Sequence, residues 1–285
     1  MIAYTGGRPS PALLRLQREE KRLAVVLVEF CESRGLAPFL VAGSALGAWR
    51  DGDFIAWDDD IDLGMLRGDY EAFIAAWMRE PHPGISLQSH HTEKGYPLAY
   101  AKLRLDGTQV VEDAALPEGH HRGIFIDIFP FDRLPQSVLL RQLQLLALEA
   151  INLFVMSYSA YMAQNSQLSA LRWLRWVAFA LRPIVPVRSL IALRELINQM
   201  RMVQGSDELA CFEMYGIRFA RRTWVKREVL VPPLRTRFGD LTMPVPARCD
   251  DYLTGVFGDY RRPPPEDKRQ PLHVRAVDFG DQAAR

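Results

Sequence analysis

Cysteine is scarce in this chain of 285 residues, with only Cys31, Cys211 and Cys249 present and far apart. They have neither CxxC spacing nor the even count of a disulfide framework, so they are expected to be structural thiols in a reducing compartment. Long apolar runs are missing as well. No stretch approaches the roughly 20 uninterrupted apolar residues of a membrane-spanning helix, and no transmembrane segment is expected. The opening residues 1–23 turn charged early and lack a continuous apolar core. They do not read as a secretory signal, and the chain is expected to stay in the cytoplasm. An excess of one charge is also absent: the formal net charge is +1, which gives no overall attraction to a polyanion, and no nucleic-acid partner is expected. What remains is 48% hydrophobic and 24% charged residues. That is a globular chain with ample core, in one elaborate domain or two smaller ones.

Periodicity orders the elements. Leu13, Leu14, Leu16, Leu23, Val26, Leu27 and Phe30 recur at helical spacing between Pro11 and Arg34, with Gly35 as a stop. "PFLVAGS" reads as a short buried strand, and "SALGAWRDG" as a helix with Ser44 at its N-terminus. A helix over "RGDYEAFIAAWMRE" and strands over "ISLQSH", "LAYAKLRL" and "TQVVED" follow, the last two joined through Asp106 and Gly107. "GIFIDIFPF" is the strongest strand, bounded by Gly123 and Pro130. From Val138 to about Ala163, and again from Leu168 to Met202, the pattern is helical. The tail from Val231 is rich in Pro, Gly and aromatic residues, with a short helix at "CDDYLTGVFG". The expected organisation is a core over 1–135, a helical insertion over 136–230, and a C-terminal segment over 231–285 that packs back on the core.

Chemistry concentrates at "WDDDIDLG", residues 57–64. Like charges this close repel unless a cation compensates them. Ile61, Leu63 and Met65 alternate with Asp60, Asp62 and Gly64, the period of a half-buried strand. Asp58, Asp60 and Asp62 would then share one face, with side chains two apart separated by about 6–7 Å. Asp60 and Asp62 can converge on a divalent ion. Oxygen ligands without a nearby His or Cys suit magnesium, or manganese, better than zinc. An EF-hand fails, because its glycine should fall at Leu63 and its bidentate Glu where Asp69 stands. Asp127, isolated in "IFIDIF", is costly to bury charged; it faces a cation or accepts backbone hydrogen bonds at a strand end. Gly43 removes bulk where a phosphate must approach, and Ser44 with the helix amides can donate to its oxygens. Arg50, Lys102 and Arg104 are candidate cations for a phosphate. For Lys102 and Arg104 an exposed, solvated strand face is the plain alternative. Neighbouring histidines on a strand diverge, so His90–His91 and His120–His121 do not read as ready metal sites.

Strand, Gly-Ser, helix, aspartate-x-aspartate strand and a later third aspartate form an order that resembles the nucleotidyltransferase fold. "GSALGAWRDGDFIAWDDDIDLGM" and "HHRGIFIDIFPFD" resemble the two signature blocks of the LicD and fukutin family of phosphotransferases. "YPLAYAKLRLDGTQV" and "MPVPARCDDYLTGVFGDYRRPPP" extend the likeness over most of the chain outside the helical stretch. The resemblance implies an α+β fold, a nucleotidyltransferase-like mixed sheet flanked by helices with a helical insertion. It implies transfer of a phosphate-linked headgroup, such as phosphocholine or phosphoribitol, from a CDP-linked donor to a hydroxyl of a glycan or glycolipid precursor. Asp60 and Asp62 would hold magnesium on the donor diphosphate, with Asp58 as an added ligand or supporting acid. Asp127 would complete the metal site or take the acceptor proton. A nucleotidyltransferase acting on a small hydroxyl compound would use the same aspartates, and a non-catalytic metal-binding relative is the further alternative. "LRWLRWVAFALRP", within Leu171 to Pro183, mixes Trp and Phe with Arg. It reads either as a helix peripheral to the inner membrane face or as a core helix whose arginines reach solvent.

Overall fold

The computed structural model describes residues 1–5, 7–112, 119–157, 186–199, 205–212 and 221–280. The stretch Leu171 to Pro183, with its expected membrane contact, lies outside them. Among the described residues no helix is long and apolar enough to cross a membrane.

A two-residue pair, β1 (Tyr4–Thr5) and β2 (Arg8–Pro9), leads into helix α1 (Pro11–Glu32). The Ser10 hydroxyl accepts from the Leu13 N–H at 3.2 Å and so caps the helix, while Pro11 sits in its first turn, where no donor is lost. Strand β3 (Phe39–Leu40) runs into helix α2 (Ala42–Leu46), which continues as a π-helical turn over Gly47–Asp51. Strand β4 (Asp62–Leu66), helix α3 (Arg67–Arg79), strands β5 (Ile85–Gln88), β6 (Ala101–Leu105) and β7 (Gln109–Glu112), and the long β8 (Phe125–Pro135) complete the first half. Helices α4 (Val138–Ser157) and α5 (Val187–Gln199) follow, then β9 (Gly205–Ala210), β10 (Val225–Lys226) and α6 (Arg227–Leu230). The hairpin β11 (Leu234–Phe238) and β12 (Leu241–Val245), helix α7 (Cys249–Phe257) and strand β13 (Val274–Asp278) end the described chain.

The architecture is α+β: a mixed seven-stranded sheet flanked by helices. Strand β8 is its spine. One side of β8 runs parallel to β4, pairing Asp62 with Asp127 and Leu66 with Phe131. Its other side pairs antiparallel first with β6, Lys102 opposite Asp127, and later with β9, Asp132 opposite Ala210. The expected end at Pro130 is corrected, since β8 continues to Pro135. Asp127 N–H donates to Ile61 O on the β4 side, so by alternation the missing N–H of Pro130 faces the opposite side. There it falls in the gap between the last pair with β6, Ala101–Ile128, and the first with β9. No ladder hydrogen bond is lost.

Three other expectations are revised. Strand β4 begins only at Asp62, so Asp58 and Asp60 lie in the loop before it and do not share its face by alternation. Strand β5 ends at Gln88, which leaves His90 and His91 in a turn where neighbouring side chains need not diverge. Helix α2 starts two residues before Ser44, with Val41 as its cap position.

The core lies between α1 and the sheet. Leu13, Leu16, Leu23 and Leu27 on the inner stripe of α1 join Phe39, Leu63, Met65, Ile126 and Ile128 in one buried cluster that also takes in Tyr252 and Leu253 of α7. The three cysteines are buried and form no disulfide among the described residues. A buried ion pair fixes the end of β4 against β8: the Arg67 guanidinium donates to both oxygens of Asp132, at 2.7 and 2.8 Å. Asp132→Ala would strand the guanidinium in the interior. The variant is expected to lose about 3–5 kcal/mol in urea denaturation, and Arg67→Met with Asp132→Leu to recover part of that loss.

Candidate active site

The register of the sheet puts Asp62, Asp127 and Lys102 side by side on adjacent strands, in one row across β4, β8 and β6. Lys102 Nζ stands 2.7 Å from Asp127 Oδ1 and 3.9 Å from Glu112 on β7. Its stem is buried, with the ammonium 3.6 Å from the centre of the Phe125 ring. Arg104 is fully buried, donating to Gln88 at 2.6 Å, to the Gly123 carbonyl at 2.8 Å and to Glu112 at 2.8 Å. Burial rules out the solvated strand face for both cations. It also separates their roles: Lys102 touches the acids, whereas Arg104 is spent on Glu112, the Gln88 side chain and the Gly123 carbonyl. Burial raises the Glu112 carboxyl, but Lys102 and Arg104 outweigh it and hold the group below its usual range.

Around this row the acids accumulate. Asp58 and Asp60 come from the loop, Asp62 from the first position of β4, Asp127 from β8 and Glu20 from α1. Burial pushes Glu20, Asp58 and Asp62 well above the ordinary carboxylate range, and the charge of Asp60 adds to each. Asp60 is pushed up to about 6 by burial, with the partly exposed His273 pulling against it from 3.4 Å. Burial raises Asp127 too, and Lys102 offsets only part of that. Both oxygens of Glu20 and Oδ2 of Asp58 are buried without a hydrogen-bond partner. Such orphaned acceptors beside other carboxylates are what a cation would satisfy.

Glu20 is the site residue that the reading of the acidic motif overlooks. Its signal is present in the sequence: it lies on the apolar stripe Leu13–Leu16–Glu20–Leu23–Leu27 of α1, where a carboxylate has no reason to be unless something polar faces it. Asp59 behaves differently from its neighbours. Its carboxylate accepts from the backbone N–H groups of Leu272 at 3.1 Å, His273 at 2.9 Å and Val274 at 2.7 Å, fastening the tail over the site. Asp59, Asp60 and His273 place ligand atoms within 4.8 Å of one another, the grouping here compact enough for one ion; Asp58, Asp62 and Asp127 lie outside it.

The Gly-Ser turn is tightly built. Ser44 is buried, and its hydroxyl accepts from the Asp62 N–H at 2.9 Å, which sets the first residue of β4. A Cβ on Gly43 would stand 2.7 Å from Asp58 Oδ2. The glycine therefore makes room for that carboxylate. Just before it, Ala42 adopts φ 47°, with its N–H donating to the buried Tyr252 hydroxyl at 3.2 Å. A left-handed non-glycine residue costs about 1–3 kcal/mol, a strain that clusters at functional turns. Arg50 lies on the π-helical turn that follows; its guanidinium pairs with Asp51 at 2.7 and 2.8 Å and with the Tyr260 carbonyl at 3.1 Å. His120 and His121 are tied to Glu93 at 2.7 Å and Asp106 at 2.9 Å.

The sequence pattern of the LicD/FKTN/FKRP nucleotidyltransferase domain matches residues 35–138, the span that carries Gly43, all four aspartates and Lys102. This stretch is a LicD/fukutin-type nucleotidyltransferase domain. The lipopolysaccharide cholinephosphotransferase LicD of Haemophilus influenzae is 22% identical over 268 residues, covering 90% of this chain and 96% of that protein. The ribitol 5-phosphate transferase FKRP of Mus musculus is 42% identical over 66 residues, 23% of this chain and 13% of that enzyme. Its Homo sapiens counterpart is 44% identical over 59 residues, 21% of this chain and 11% of that enzyme. Similarity within this LicD/fukutin group is thus end-to-end but dilute with the bacterial relative, and short but dense with the mammalian ones.

Two outcomes follow for a divalent cation at the acids. With chelator present, ionising Asp60 in its raised range costs stability, so the contribution present below its ordinary 3.8 is lost as pH rises through about 6. His273, raised by Asp60 from its ordinary 6.5, contributes with the same sign. The melting temperature of the chelated protein is expected to fall from pH 4 to pH 8, and the rise on adding Mg2+ or Mn2+ to be larger at pH 7.5 than at pH 5; differential scanning fluorimetry measures both. Gly43→Ala, by displacing the Asp58 carboxylate, is expected to weaken the cation's effect by about tenfold or more in a titration of melting temperature against ion concentration.

Proposed function

We propose that this chain transfers a phosphate-linked headgroup, phosphocholine or a phosphopolyol, from a CDP-linked donor to a hydroxyl of a cell-surface glycan or glycolipid precursor. The observation that carries the reading is the set of buried carboxylates with orphaned oxygens, gathered on a domain shared with a cholinephosphotransferase and with ribitol 5-phosphate transferases. Oxygens dominate around Asp60 and Asp62, which fits Mg2+, with Asp58 and Glu20 supporting, Gly43 keeping space for Asp58 and His273 the one nitrogen beside Asp60. When bound, the ion supplies neutralisation of diphosphate charge.

In this reaction the acceptor oxygen forms a bond to the donor's distal phosphorus. The bond from that phosphorus to the bridging oxygen breaks, and CMP leaves. The hydroxyl proton needs an acceptor. Asp127 suits that role: its pKa is raised by burial, and Lys102 holds one of its oxygens at 2.7 Å, leaving the carboxylate oriented. Lys102 adds positive charge where the equatorial oxygens of the transferring group gather charge. Ser44 acts indirectly, by fixing the Asp62 amide. His273, at the edge of the acids, is in position to follow donor binding through its contact with Asp60.

The test is CMP release with Mg2+ from CDP-choline, CDP-glycerol and CDP-ribitol, using a crude glycan extract as acceptor. Release that requires the extract, and that falls at least about 100-fold in Asp62→Asn and in Asp127→Asn, is expected. Pyrophosphate release from a nucleoside triphosphate, with no CMP from any of the three donors, would move the assignment to nucleotidyl transfer.

A further inference from the structure

A second cluster of metal-ligating side chains stands apart from the acids. After β5 the chain turns through Ser89–Thr92: the Ser89 N–H donates to the Thr92 hydroxyl at 2.9 Å, and the His91 N–H to the Ser89 hydroxyl at 3.2 Å. This turn brings the two adjacent imidazoles to one side, their ring centres 3.8 Å apart. Glu195 reaches them from the middle of α5, with Oε2 2.9 Å from His90 Nε2. One ligand atom from each of the three residues lies within 4.8 Å of the others.

A plain His–Glu hydrogen bond accounts poorly for this arrangement. His90 Nε2 stands beside the Glu195 carboxylate and helps hold it below its usual range, but His90 Nδ1 is buried with no hydrogen-bond partner. The second imidazole, tilted 45° to the first, adds another nitrogen lone pair that such a bond does not use. Two nitrogens and one carboxylate oxygen form a set that suits zinc-class ions, and three protein ligands leave a fourth position for water. Bonds of about 2.0–2.1 Å in tetrahedral geometry need ligand atoms about 3.4 Å apart, so side-chain rotations closing the cluster by up to about 1.4 Å suffice. Magnesium, which favours oxygen ligands, is a poor match. The surrounding charges come from α3: Glu71 acts on His91, and Arg67 acts on Glu195. Arg67 is already held by Asp132 and Glu71, which limits its opposition to a cation.

We propose that His90, His91 and Glu195 form a zinc-class divalent metal site that fastens α5 to the turn after β5, independent of the acidic site. A metal here cross-links a helix that follows the catalytic strands to the sheet beneath it, and its binding energy adds to the stability of that junction.

The test uses the full chain, stripped with chelator and loaded with Zn2+, or with Co2+ as a visible probe. Bound metal is counted after desalting by plasma mass spectrometry, and Co2+ coordination is read from its absorption. A single equivalent that persists in the double variant Asp60→Asn/Asp62→Asn and raises the melting temperature is expected. His91→Ala, at an exposed position that folding should tolerate, and Glu195→Gln should each weaken the binding at least about 100-fold, beyond the roughly 10–100-fold cost of losing an outer partner. Failure of the intact chain to bind either ion, or binding that vanishes with the aspartates and survives His91→Ala, would overturn the site.

Discussion

Mutual repulsion among buried carboxylates is the constraint around which this structure is arranged. Two unit charges about 4 Å apart cost roughly 4 kcal/mol at an effective dielectric of 20, and here Glu20, Asp58, Asp60, Asp62 and Asp127 act on one another in a dry setting. The chain supplies Lys102 and His273 against them. That is too little positive charge for all of them to ionise together, which is the electrostatic ground for proposing a cation here. Its geometry is enforced from outside the acids: Ser44 sets the start of β4, Gly43 clears space for Asp58, and Arg104 locks the strands behind Lys102.

Strand β8 connects this chemistry to the remainder of the fold. Its first half carries Asp127 between β4 and β6, and its second half carries Asp132, which anchors α3 through Arg67 and pairs with β9. Helix α4 leaves directly from its end and packs, through Leu148, against Leu134, Ala210 and Phe212 in a small apolar cluster of its own. The row of Asp62, Asp127 and Lys102 and the helical region are therefore held by one continuous strand. Pro130 sits at the changeover between partners, at a place where an N–H would find no acceptor.

Much of this is legible in the sequence where the signal is local. The stripe of α1, the alternation of β4 after Asp62 and the β-branched run of β8 each follow from period and composition. The acids Asp60, Asp62 and Asp127 are conspicuous because charge is costly in apolar surroundings. What escapes is set by partners distant in the chain. Asp59 looks like its neighbours in "WDDDIDLG", yet its three donors lie 213–215 residues away. Lys102 and Arg104 have the alternation of a wet strand face, and only the layer formed by β7, with Glu112, and by β8 buries them. The turn that unites His90 with His91 depends on Ser and Thr hydroxyls closing on the backbone, a pattern that strand periodicity does not describe. Glu20 is the instructive middle case, since its position on an apolar stripe is visible but its meaning needs the acids opposite.

The hold of Asp59 on residues 272–274 also bears on when the site comes into being. The loop that carries Asp58 and Asp60 is translated well before the segment that supplies one of its fixed points, which lies 213–215 residues further along. On the ribosome the sheet strands can pair while that loop still lacks its anchor, so a nascent chain would carry an assembled scaffold with an unfinished mouth. The arrangement of Asp58 and Asp60 would then be completed only once the segment that anchors Asp59 has been made.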